Sequence, residues 1–174
     1  MVKLDLQVLI EGENVSNVQP ADFNDHQFWL QIKCTMCHEV HPKTIAIIPS
    51  EEDQLPNTKE GNTANLVFKC SFCGVVADVE FQKSAHAKVE NKGASAVNIE
   101  DIENHSYKSW LVLECRNLEP IGFEARDDNY ICTSSLSDTK FEDVTLDGEW
   151  SDYDEKSGES VAIEGYKFRF VKVK

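Results

Sequence analysis

Four cysteines, in Cys34-Thr35-Met36-Cys37 and Cys70-Ser71-Phe72-Cys73 with 32 residues between the pairs, are the side chains of this sequence best placed to do chemistry. One Cys-x-x-Cys wraps a tight turn around an ion, and two together supply the four thiolates of a tetrahedral Zn²⁺ site. Soft thiolates also accept Cu(I), iron–sulfur clusters or a mononuclear iron; a symmetric set of four in an ordinary domain is read here as zinc. Gly74, after the second pair, tolerates the positive φ that lets backbone N–H groups point at the sulfurs, whereas His38 follows the first pair. A closed four-sulfur site leaves no vacancy, so His38 and His41 are expected beside the metal rather than on it. Drawing the second pair back across its 32-residue loop costs about 3 kcal/mol of chain entropy. Small thiolate sites bind zinc with on the order of 10 to 16 kcal/mol. The expected metal is therefore structural, and losing a ligand should damage folding before any chemistry.

The elements that must position these cysteines show a period of two. Leu4, Leu6, Val8 and Ile10 alternate with polar residues, as do Phe28, Leu30 and Ile32, then Val75, Ala77, Val79 and Phe81, and finally Tyr166, Phe168 and Phe170. Such runs predict half-buried antiparallel strands and an all-β fold. Ser50–Asn65 and Ser84–Asn98 read as loop or linker, and Ile99–Ser106 as a short helix. Both cysteine turns then follow strands, Phe28–Lys33 and Leu66–Lys69, and the metal clips two strand ends together. A degenerate tandem repeat is also visible. Leu4-x-Leu6 leads to Asn17-Val18-Gln19-Pro20, and Leu111-x-Leu113 to Asn117-Leu118-Glu119-Pro120, with Trp29 and Trp150 further on in each. Read this way, Ser151–Lys156 stands where the first copy has its thiolates, and the chain divides at 1–98 and 99–174.

Charge and composition restrict the partners. The formal charge is −14, and 41% of the residues are apolar, enough for one core or two small units sharing one. Nucleic-acid binding requires clustered Lys and Arg, which are missing; Lys33, Lys43, Lys69 and Lys83 are too scattered to count as a phosphate site. No stretch approaches a membrane span and the N-terminus lacks a secretory pattern, so cysteines in a reducing compartment favour metal over disulfides. The expectation is a monomer in the cytoplasm, extending to the nucleus, with neither nucleic-acid nor membrane partners. Its protein partner would dock on the more acidic C-terminal half.

Outside the four-cysteine set, Cys115 reads as a buried small hydrophobe and Cys132 as the better candidate for chemistry. Cys132 has a passing similarity to the nucleophile segment of B-type methionine sulfoxide reductases, but that family's tryptophan–proline–serine and histidine motifs are missing and the surroundings are neutral to acidic. Asp152, Asp154, Glu155 and Glu159 read as a solvated turn that can also meet a hard cation or a basic partner. Trp29, Trp110 and Trp150 read as core or rim aromatics.

Four segments together resemble the eukaryotic CXXC-motif-containing zinc-binding proteins. They are Trp29-Leu30-x-Ile32-Lys33-Cys34-x-x-Cys37, Lys69-Cys70-x-x-Cys73, Leu113-Glu114-Cys115-Arg116-Asn117-Leu118-Glu119-Pro120 and Trp150–Val161. The resemblance implies two similar antiparallel β-barrel- or sandwich-like halves, one zinc held by Cys34, Cys37, Cys70 and Cys73 in the N-terminal half, and no established reaction. Its main departure is the acidic 51–62 segment. The leading expectation is a non-enzymatic scaffold for protein interaction. Its rivals are a metal-handling protein that exchanges Zn²⁺ or Cu(I), and a thiol oxidoreductase, which the lack of a thioredoxin-like strand–helix context disfavours.

Overall fold

The computed structural model describes residues 1–82 and 96–174. In chain order the strands are β1 (Val2–Glu13), β2 (Val15–Pro20), β3 (Phe28–Cys34), β4 (Ile45–Ile47), β5 (Asp53–Gln54), β6 (Thr63–Ala64), β7 (Leu66–Lys69) and β8 (Val76–Phe81). A short helix, α1 (Ile99–Glu103), precedes β9 (Lys108–Arg116), β10 (Leu118–Glu124), β11 (Tyr130–Ser134), β12 (Lys140–Val144), β13 (Trp150–Asp154) and β14 (Glu159–Lys172). The fold is all-β, as the period-two runs require. Leu4, Leu6, Val8, Ile10, Phe28, Leu30, Ile32, Ala77 and Val79 are all buried, joined in the core by Trp110, Leu111, Leu113, Tyr130, Val161 and Ile163. Trp29 and Trp150 lie at the rim, half-buried.

A six-stranded antiparallel sheet runs in the order β13-β14-β1-β9-β8-β7, and two three-stranded sheets run β10-β3-β4 and β12-β11-β2. The order is symmetric about its central pair. There Leu4 faces Leu113, Asp5 faces Val112 and Leu6 faces Leu111. A two-fold rotation at the register shift between the Leu6/Leu111 and Gln7/Ser109 pairs exchanges the two strands, with Gly12 matching Cys115 and Val8 and Ile10 matching Leu111 and Leu113. The same rotation carries β7–β8 onto β13–β14, and the repeated register bears this out: Leu66 pairs with Val79, and Trp150 with Ile163. It also carries β10-β3-β4 onto β2-β11-β12, where Leu118 opposite Cys34 becomes Val15 opposite Ser134. Each three-stranded sheet mixes the two ends of the chain, so neither copy completes its own sheets.

The duplication is real, but the correspondence read from sequence is out of phase. The residue matching Asn117 is Asn14, not Asn17. Both have φ of 60° and both follow the long central strand of their copy. Side-chain amides do the same work too: Asn117 Nδ2 donates to the Val76 carbonyl at 3.0 Å and Asn14 Nδ2 to that of Ser160 at 2.9 Å. Asparagine is favoured at such left-handed positions. Asn17 also takes a positive φ and stands before a similar Val-x-Pro run, which misdirected the motif.

Two further expectations change. Ser50–Asn65 is not all loop, since β5 and β6 pair as a small hairpin, Asp53 opposite Ala64 and Gln54 opposite Thr63. Its two-residue, largely polar strands offer no alternation to read. The helix is shorter than Ile99–Ser106; Asn98 and Asp101 form a reciprocal capping box at its start and Asn104 ends it. Within Ser84–Asn98, Val97 bridges to Val18, while Lys83 and residues 84–95 lie outside the described residues.

Candidate metal centre

β3 ends at Cys34 and β7 ends just before Cys70, so each cysteine pair forms the turn at one strand's end. The two strands belong to different sheets. The Sγ atoms of Cys34, Cys37, Cys70 and Cys73 lie within 4.8 Å of one another, and among the described residues they are the group suited to a metal ion. Cys34 and Cys73 approach to 3.7 Å, and Cys37 and Cys70 to 3.8 Å. Zn–S bonds of about 2.3 Å in a tetrahedron require sulfurs about 3.8 Å apart, so both the donors and their spacing fit zinc. Neither His38 nor His41 is in the cluster; His41 Nδ1 is within 2.9 Å of the Lys43 carbonyl instead.

Each turn is built to hold thiolate. The His38 N–H donates to the Cys34 carbonyl at 3.0 Å, and the Gly74 N–H to the Cys70 carbonyl at 2.9 Å. Gly74 has φ of 78° and His38, in the matching place, φ of 65°. The first turn thus reaches the same backbone conformation without glycine. Backbone N–H groups of Cys37 and Met36 point at Cys34 and lower its pKa; those of Cys73 and Phe72 bring Cys70 down to about 7. At Cys37 the Glu39 N–H pulls the same way, but burial and the three neighbouring sulfurs push the thiol up to about 12. Four sulfurs crowded together cannot all ionise without a cation among them. Zinc supplies that charge.

The two-fold relation places a second turn pair at the opposite end, and it contains no cysteine. Ser134, Ser137, Asp154 and Ser157 occupy the positions of Cys34, Cys37, Cys70 and Cys73. Three backbone bonds recur, although the His38-to-Cys34 bond of the first turn has no counterpart between Asp138 and Ser134. Gly158, φ 74°, donates to the Asp154 carbonyl at 2.8 Å as Gly74 does to Cys70. Ser134 N–H reaches the Thr139 carbonyl at 2.9 Å, as Cys34 N–H reaches Glu39 at 3.0 Å; Ser135 N–H reaches Asn14, as Thr35 N–H reaches Asn117. N–H groups that face sulfur at one end face oxygen at the other: Leu136 donates to Ser134 Oγ, Thr139 to Ser137 Oγ, Lys156 to Asp154 Oδ1 and Glu159 to Ser157 Oγ. In the place of Cys70 stands the Asp154 carboxylate, fully buried. Ser137 Oγ donates to it at 2.7 Å and Thr139 Oγ1 at 2.8 Å. Burial alone would raise this carboxyl, but hydroxyls of Ser134, Ser137, Thr139 and Ser157 outweigh it and hold the group well below the usual carboxylate range.

This corrects the reading of 152–159 as one solvated acidic turn. Asp152, Glu155 and Glu159 are exposed, while Asp154 is an internal acceptor. No sequence signal distinguishes it from its neighbours. The remaining thiols are buried, and that burial pushes Cys115 and Cys132 each up to about 12, which disfavours the thiolate at both. Lys33 lies 3.7 Å from Glu119 in an ion pair. No helix among the described residues is long and apolar enough to cross a membrane.

Comparison with known proteins agrees with this geometry. The family described as CXXC motif containing zinc binding protein, eukaryotic, matches residues 5–171. The chain is 32% identical over 173 residues to the human CXXC motif containing zinc binding protein and 30% identical to that of Xenopus laevis, covering 99% of both chains in each case. The crystal structure of C1orf123 superposes with a TM-score of 0.83 at 31% identity, covering 98% of this chain and 99% of that one. A hypothetical protein from Plasmodium falciparum shares the fold at a TM-score of 0.77 and 20% identity, with 98% of this chain and all of that one covered.

Proposed function

The chain belongs to the eukaryotic CXXC motif containing zinc binding proteins, and from that premise we propose that Cys34, Cys37, Cys70 and Cys73 hold a single structural zinc in a non-enzymatic scaffold for protein interaction. One observation carries this reading: the four sulfurs stand at zinc spacing while their turns belong to different sheets. Metal at that point ties the β3 end to the edge strand β7. The scaffold reading draws on the two buried, high-pKa thiols outside the cluster, which leave no activated nucleophile, and on exposed apolar tips, Met36 and Phe72, that the metal would hold in fixed positions. An acidic C-terminal face suits a partner with a basic surface.

The test is elemental analysis of protein purified without added metal, followed by a timed chelator challenge with folding monitored. A single zinc equivalent, lost slowly and with loss of structure at the N-terminal turns, supports the structural role. Rapid release from a chain whose turns stay ordered, or copper in place of zinc, sinks it. That second outcome would favour metal exchange, and the exposure of Cys73 at the site is the feature that speaks for it.

A further inference from the structure

We propose that Asp154 does for the C-terminal turn pair what the metal does for the N-terminal pair, so that metal loss opens one end of the molecule and leaves the other closed. This rests on the zinc reading for its first half alone. The two ends carry the same glycine-ended second turn and the same asparagine bond, Asn117 to Val76 at one end and Asn14 to Ser160 at the other. They differ in the centre. At the N-terminal end, a cation gathers four anionic sulfurs. At the C-terminal end, an anion gathers hydroxyl donors: Ser137 and Thr139 from the β11–β12 turn reach across to a carboxylate at the end of β13. The polarity is reversed, but the mechanical result is the same, because in both cases one centre bonds turns from two sheets.

Removing the cation leaves crowded thiols and one asparagine bond to hold the β7–β8 turn against the β9–β10 corner. Nothing equivalent can be chelated from the C-terminal end. Loss of metal is therefore a local event confined to residues around 34–41 and 70–76, and Met36 and Phe72, 62% and 59% exposed at the tips of those turns, lose their fixed positions with it. The core strands β1 and β9 stay in place.

Hydrogen exchange of the full chain, read by mass spectrometry before and after EDTA, tests the proposal. Exchange at 34–41 and 70–76 should rise about tenfold or more on chelation, while 134–140 and 154–160 change less than about twofold. In the metal-loaded Asp154→Asn variant the pattern should invert: faster exchange at 134–140 and 154–160, with metal content and protection at 34–41 unchanged. Ser137→Ala, which deletes one donor, should give a smaller rise in the same C-terminal segments and serves if Asp154→Asn does not fold. Deprotection of both ends together by EDTA, or unchanged C-terminal protection in both variants, overturns the proposal. A chain purified without zinc would defeat the zinc reading instead, and the Asp154→Asn and Ser137→Ala measurements would still decide the role of Asp154.

Discussion

The two turn pairs are the same construction with opposite charge at the centre. Thiolates around a cation and hydroxyls around a carboxylate both solve one problem, which is to fasten turns from different sheets where neither turn buries much apolar surface. The zinc end gains a large binding energy but depends on supply, redox state and pH, since its ligands must be deprotonated. At the other end the fastening is weaker per bond yet made wholly of the chain itself. Backbone geometry is thus more general than the chemistry placed in it: equivalent N–H groups serve sulfur at one end and oxygen at the other.

Breaking the comparison at its strongest point means removing one sulfur. Cys70→Ser should abolish metal binding and destabilise the N-terminal end by on the order of 5 kcal/mol, a fraction of what a four-thiolate site supplies; metal content and urea unfolding measure it. Sharpening it means conversion. The combined Ser134→Cys, Ser137→Cys, Asp154→Cys and Ser157→Cys chain should take up a second zinc equivalent, because the turns already present matching N–H groups; a stoichiometry that stays at one would show that the ends are less alike than their backbones. Acid gives a third contrast. His26 is buried, its Nε2 3.1 Å from Tyr130 Oη, and burial lowers its pKa from 6.5 to about 4 against a raising influence of Asp127. An unfolded chain takes up that proton first, so stability present above pH 6.5 is lost as pH falls towards 4, by about 3 kcal/mol, and His26→Gln should flatten the curve. Asp154, held low, keeps its contribution throughout that window and loses it only in stronger acid. The smallest effect should come from Asn14→Ala and Asn117→Ala, each costing about 1 to 2 kcal/mol through the left-handed backbone and the lost amide bond. Equal losses in thermal unfolding would support the two-fold relation, and unequal ones would show which corner depends on its asparagine more.

What could be read in the sequence was set by how specific each residue type is. Cysteine in pairs is rare and names its chemistry, so the metal cluster was legible, as were strands whose apolar residues alternate over long runs, such as Leu4 to Ile10. Serine at the spacing of Ser134 and Ser137 is too common to announce a turn of that shape, and Asp154 among exposed acids looks like any solvated carboxylate. That a repeat exists was visible in the alternating apolar runs around Leu4-x-Leu6 and Leu111-x-Leu113, although the rotation matches Leu111 and Leu113 with Val8 and Ile10. Its phase was not, since Asn14 and Asn17 both occupy left-handed positions and only the bond to Ser160 tells which one matches Asn117.

The exchange of strands between the sequence halves has a consequence for how such a molecule can be assembled. Contacts across the two-fold axis occur in pairs, β2 with β11 and β10 with β3, which is the arrangement of an isologous homodimer within a single chain. Expressed alone, either half would expose the unpaired edges of its partner's sheets and would need a second copy to cover them; fused, the two are present at a fixed effective concentration. Within one tethered chain, a metal at one turn pair and a carboxylate at the other can each close its own end without both ends needing the same chemistry.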